Sequence, residues 1–190
     1  MSATSDTTTV PGYLAGTWNI DTVHSDVSFS VRHLMVSKVK GRFGTFEGQI
    51  VTAENPLEST VTASIDLSSI DTNDAGRDGH LRSADFFDTE THPKMTFQST
   101  SVTATGGDFV VEGDLNLHGV TKSVQLNLEL NGFGPDPYGG TRAGFTATTE
   151  INRKDFGIEF NMPLEGGGVV LGEKVSVTID IEAVLVPAAA

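Results

Sequence analysis

Several short clusters in this chain carry side chains able to do chemistry. His24, Ser25 and Asp26 hold the three residue types of a hydrolase triad. Consecutive residues of an extended strand point to opposite faces, so these three cannot form a proton relay, and a strand-entry turn is expected. His80, Arg82 and Asp85 form a second cluster. A guanidinium there suits a phosphate or similar oxyanion bidentately, while the alternative is that the three pair with one another. Asp71, Asn73, Asp74 and Gly76 resemble the start of a calcium loop. The twelfth position is Arg82 and not the bidentate glutamate, so no calcium site is expected. His92-Pro93 reads as a loop-to-strand transition and His118-Gly119 as a hairpin turn. The five histidines have no short metal-ligand spacing, which leaves only a site assembled across strands, and no metal is expected. Gly166-Gly167-Gly168 is not followed by a helical pattern, so it is a flexible turn and not a phosphate loop. No catalytic residue is assigned.

Composition narrows the field further. The chain has 190 residues, enough for one domain with a sizeable core. Its formal charge of −13 repels phosphate backbones, so nucleic acid is excluded as a partner. It has no cysteine, which removes disulfides, thiolate chemistry and Cys-type metal sites. No apolar run approaches a membrane span of about 18 residues, so no stable membrane insertion is expected. The opening MSATSDTTT has no basic start, apolar stretch or cleavage site, and a cytoplasmic location is the expectation. Residues 1–14 are expected to form a disordered arm, 15–186 a single domain, and 187–190 a frayed tail.

The elements that must position these residues are strands. Val27, Phe29, Val31 and His33 alternate with Ser28, Ser30 and Arg32. Similar alternation marks runs around 38–51, 61–67, 95–97, 109–117, 124–130, 143–151 and 175–183. Gly41, Gly44 and Gly48 inside the second run mark bends or bulges. Eight long strands predict an all-β fold, an up-and-down antiparallel barrel or a deep sandwich. Asn73 to Phe87 lacks alternation and carries Leu81, Ala84 and Phe87 at helical spacing, which predicts a short helix over one barrel mouth. The stretch 154–168 is too long for a tight hairpin and is expected to be a second lid or a packed loop.

An eight-stranded barrel has room for side chains or for one small ligand. The inward set expected here is Phe29, Val31, His33, Val39, Phe43, Ile65, Met95, Phe97, Leu115, Leu117, Phe145 and Ile151. Leu81, Phe86 and Phe87 from the lid segment and Phe156 from the second loop join them. Eleven Phe against two Tyr and one Trp offer contact area with few hydrogen bonds. At about 0.8 kcal/mol per buried CH₂, a dozen methylenes supply roughly 10 kcal/mol, against an association cost of at least about 4 kcal/mol. The other reading of the same phenylalanines is a solid core.

Four ordered segments resemble the YceI-like family of polyisoprenoid-binding proteins. They are Trp18–Gly48, Arg77–Phe97, Leu115–Val124 and Ala147–Gly157, and the final run Gly172–Glu182 fits the family's last strand. The resemblance implies an eight-stranded antiparallel lipocalin-like barrel with a short helix over one mouth. It also implies non-enzymatic binding of a long-chain isoprenoid lipid, an isoprenoid quinone or polyprenyl lipid, in the lumen for storage, sequestration or transport. A bound isoprenoid-type lipid is then expected in place of a catalytic cofactor, and a homodimer is the family expectation. His33 is either a core histidine or a polar contact near the mouth. His80, Arg82 and Asp85 are placed at the headgroup end. Two rival readings stay open: an enzyme acting on a small amphiphile, which needs His33, His80, Arg82 and Asp85 to converge, and a ligand-free structural or stress protein. Many relatives carry a signal peptide, and the opening residues show none.

Overall fold

A computed structural model describes residues 10–188. Residues 1–9 of the expected arm and 189–190 of the expected tail lie outside them. Residues 10–14 do not belong to a loose arm. The Tyr13 hydroxyl donates to the Ala53 carbonyl at 2.7 Å, and its ring meets Phe133 edge-on at 5.6 Å.

The described residues contain eleven strand segments: β1 (Gly16–Ile20), β2 (Asp26–His33), β3 (Ser37–Phe43), β4 (Phe46–Thr52), β5 (Thr60–Asp66), β6 (Ile70–Asp71), β7 (Lys94–Thr105), β8 (Asp108–Leu117), β9 (Val120–Pro135), β10 (Thr141–Asn152) and β11 (Leu171–Leu185). They make eight staves, because β1 and β2, β3 and β4, and β5 and β6 each continue one another across a kink. All eight staves pair antiparallel with their sequence neighbours. Closure comes from β11, which pairs with β2 along Leu171–Asp180 and with β1 at Ala183–Leu185. The result is a closed eight-stranded antiparallel β-barrel, which has no free sheet edge to protect.

The kinks have local causes. Between β3 and β4 the chain bends at Gly44 and Thr45, whose amides donate to the Ser69 carbonyl and hydroxyl at 3.1 and 3.0 Å. Gly113 is required by close approach: a Cβ there would run into the Phe97 ring lying across it and the Gln98 carbonyl.

The lid helix α1 (Ala75–Arg82) is shorter than the segment with helical spacing. Asp74 caps it by accepting from the Arg77 amide at 2.8 Å. Asp78, buried on its inner side, accepts from the Thr72 amide and hydroxyl at 2.9 and 2.6 Å and fixes the helix to the end of β6. Beyond Ser83 the chain runs in irregular turns to β7.

Two apolar clusters form the inner wall of the barrel. Trp18, Ala143, Phe145 and Ala183 pack at the end where β1 and β11 meet. Trp18 is fully buried, and its indole donates to Thr52 Oγ1 at 2.8 Å. Phe43, Leu67, Ile70, Phe86, Phe156 and Ile158 anchor the larger cluster toward α1.

Candidate functional site

Alternation along every stave turns apolar side chains inward, but they ring the lumen and do not fill it. A cavity of about 470 Å³ remains, within the roughly 300–1,000 Å³ usual for small-molecule sites. It reaches from His33, His80 and Met162 at the α1 end to Tyr13, Pro56 and Ser59 at the other. Its middle is hydrocarbon, lined by Phe29, Phe43, Ile65, Phe97, Val111 and Leu115 among others. The solid-core reading does not describe this lumen.

All but one of the sixteen expected lumen residues face this cavity. The exception is Phe156. It is buried in the wall of the α1 end and is not a lining residue, because the short 3-10 turn Arg153–Phe156 after β10 carries its ring into the core. Phe29 and Phe43 pack with tilted rings at 5.6 Å, and Phe87 meets Phe43 edge-on at 6.1 Å. His80, Phe86 and Phe160 form an aromatic trio at the α1 mouth with ring separations of 5.0 to 5.2 Å.

The polar mouth residues divide. His80 lines the cavity, and its Nε2 bonds to Asp85 Oδ2 at 2.8 Å. Asp85 is therefore tied to His80 on the rim and does not line the cavity. Arg82 points away from it: Nε donates to the Ser68 carbonyl at 2.8 Å and Nη2 to the Ile70 carbonyl at 3.0 Å. It clamps α1 onto the turn between β5 and β6. Of His33, His80, Arg82 and Asp85, only His80 and Asp85 meet.

Two arginines that the sequence reading did not select line the cavity. Arg77 donates to the Thr72 hydroxyl and carbonyl, both at 2.8 Å. Arg153 is 4% exposed. Its Nε donates to the Gly172 carbonyl at 2.9 Å, and its Nη1 to the Ile158 and Phe160 carbonyls at 2.8 and 2.9 Å. Its Nη2 is buried without a partner. Burial lowers its pKa from the ordinary guanidinium value, opposed by the charge of Glu173. The cue was a lone arginine at the end of an alternating strand, which also reads as an ordinary solvated turn residue.

Among the described residues, two side-chain groups have metal-ligand chemistry. Asp21, His24 and Glu182 converge, but the Arg142 guanidinium sits among them and ion-pairs with Asp21 at 2.7 Å and with Glu182. Asp88, His92 and His118 offer donors within 4.8 Å of one another. His118 Nδ1 is 3.1 Å from the Phe156 carbonyl, and the His92 and His118 rings meet edge-on at 4.9 Å. This group ties the β8–β9 hairpin to the segment entering β7.

The barrel and its apolar lumen agree with the comparisons. The model of the YceI-like domain matches residues 18–183. The chain belongs to the YceI-like family. A UPF0312 protein of Vibrio cholerae is 46% identical over 149 residues, covering 76% of this chain and 79% of the relative. Among solved structures, BcnA of Burkholderia cenocepacia superposes with a TM-score of 0.74 at 20% identity, covering 86% of this chain and 98% of BcnA. A polyisoprenoid binding domain from Saccharophagus degradans superposes with a TM-score of 0.65 at 21% identity, covering 91% of this chain and all of that domain. The resemblance seen in the sequence segments thereby extends over residues 18–183.

Proposed function

We propose that this YceI-like barrel holds the hydrocarbon chain of an isoprenoid lipid in its lumen, without catalysing a reaction on it. The observation that carries the reading is the cavity itself: a lumen lined predominantly by apolar side chains from His80 and Met162 at one end to Tyr13 and Ser59 at the other. Such a lumen accepts a long tail and offers it mostly hydrocarbon contact. The fold shared with the Saccharophagus degradans polyisoprenoid binding domain supports it. A quinone or a polyprenyl lipid fits the same geometry, with storage, sequestration or transport as the role. The headgroup lies at the α1 mouth beside His80, where the unpartnered Nη2 of Arg153 supplies a donor for a headgroup oxygen. The enzymatic alternative calls for His33, His80, Arg82 and Asp85 to converge, and of these His80 and Asp85 alone are in hydrogen-bond contact, which favours the binding reading.

Titration of the delipidated chain with a long-chain isoprenoid quinone tests this. Phe29→Ala and Phe97→Ala each remove a ring from the lining and are expected to weaken binding about tenfold or more. Unchanged affinity in both variants would place the ligand outside the lumen.

A further inference from the structure

We propose that the β2–β3 hairpin is a docking surface for an anionic lipid bilayer, set at the edge of the cavity mouth. The tip is Leu34-Met35-Val36, a tight turn closed by the Val36 amide donating to the His33 carbonyl at 3.2 Å. Leu34 and Met35 have φ of 51° and 59°, the left-handed region that such turns ordinarily fill with Asn-Gly. The chain therefore strains its backbone to hold two large apolar residues where glycine is the undemanding choice. The three side chains are 39%, 59% and 82% exposed. An apolar group kept in water at a conformational cost is explained when that group leaves water against something else.

The flanks of the hairpin identify the occupant by charge. Arg32, Lys38, Lys40 and Arg42 are all exposed and project from one outward face. They are a third of the chain's 12 Lys and Arg, and no carboxylate occurs between Asp26 and Glu47, in a protein of charge −13. Arg32 lies directly across the ladder from Lys38, a like-charge pair that destabilises a sheet unless an anion neutralises it. Of these four cations, only Arg42 has a carboxylate partner among the described residues, Asp71 at 3.6 Å. Exposed apolar tip and basic collar together match the interface of an anionic membrane, the tip entering the acyl boundary and the cations meeting headgroups.

Position adds the third argument. The Leu34 amide donates to the Val170 carbonyl at 2.7 Å, joining the tip to the loop that carries exposed Met162 and Val169. Val31, His33, Met162 and Val170 all line the cavity. The proposed docking surface is thus continuous with the lumen wall, and a tail can pass between bilayer and barrel with little exposure to water. This purpose rests on the lumen reading; the docking itself does not.

Flotation of the full chain with phosphatidylglycerol-containing vesicles tests the proposal, with pure phosphatidylcholine vesicles as the comparison. Binding is expected to the anionic vesicles, weakening at least tenfold as salt rises from 20 to about 300 mM. Met35→Ser with Val36→Ser, and separately Lys38→Glu with Lys40→Glu, are each expected to reduce it at least fivefold. No binding at low salt, or binding unchanged in both double variants, overturns the proposal. Concentration-dependent self-association lost in Met35→Ser/Val36→Ser, without vesicle binding, also overturns it and assigns the tip to a second copy of the chain. Quinone uptake in solution, measured on the same variants, separates the two readings. Wild-type uptake with lost flotation supports docking alone as the function of the tip, whereas flotation without uptake sinks the lumen reading and leaves docking standing.

Discussion

Arg153 shows what a single residue does in this barrel. Its guanidinium holds the backbone of Ile158, Phe160 and Gly172 together and so fixes the loop that forms one side of the mouth. An ammonium cannot span these acceptors. Arg153→Met is expected to destabilise the fold by about 3–5 kcal/mol by leaving buried carbonyls unpaired, read as a lower urea midpoint at unchanged slope. Residue types were legible in the sequence, but directions were only partly so. On strands, alternation alone pointed Phe29, Val31, Phe97 and Leu115 inward. Off the strands it failed. Phe156 has the same composition cues as Phe160, yet a 3-10 turn sends one into the wall and leaves the other at the mouth. Arg82 carried the signature of an oxyanion ligand, but two backbone carbonyls left over from the β5–β6 turn claim it. Those carbonyls are orphaned only by the three-dimensional kink, which no local pattern encodes.

At the scale of elements, the staves were readable because each keeps one wet and one dry face over many residues. Their interruptions were legible in places: Gly44 announced a bend, and His24-Ser25-Asp26 announced the turn that leads into β2. Gly113→Ala is expected to cost about 1–3 kcal/mol, since the added methyl overlaps the Phe97 ring and a ladder carbonyl. Thermal unfolding of that variant, with and without a bound isoprenoid quinone, checks it. The same change should weaken tail binding by displacing Phe97 into the lumen. At α1, Asp74→Ala removes a cap worth about 1 kcal/mol, and hydrogen exchange should rise in Ala75–Arg82 with little change in β8 or β10. Uniform loss of protection across the barrel would show that the helix is not a separable lid.

The molecule as a whole is held shut at its β1–β11 end by charge as well as packing. Arg142 bonds Asp21, Asp136 and Glu182, joining β10, β11 and two turns. Asp21 has its pKa lowered chiefly by the Arg142 hydrogen bond and then by His24. Asp136 is lowered by the Tyr138 amide first and then by Arg142. Folded-state pKa values below the unfolded ones stabilise the fold above the ordinary carboxylate range, and that contribution is lost as pH falls through the folded values. The melting temperature should therefore fall as pH drops below about 4, and Arg142→Gln should flatten that fall while lowering stability at neutral pH. A variant whose acid profile matches the wild type would remove this network from the account.

The central claim is that the lumen is a lipid site. The most direct measurement is organic extraction of freshly purified protein from a quinone-producing host, followed by mass spectrometry of the extract and by native mass spectrometry of the delipidated chain after incubation with the purified quinone. The account predicts an isoprenoid lipid approaching one per chain in the extract, and a 1:1 complex on reloading. A chain that yields no isoprenoid and gains no mass on incubation would contradict it.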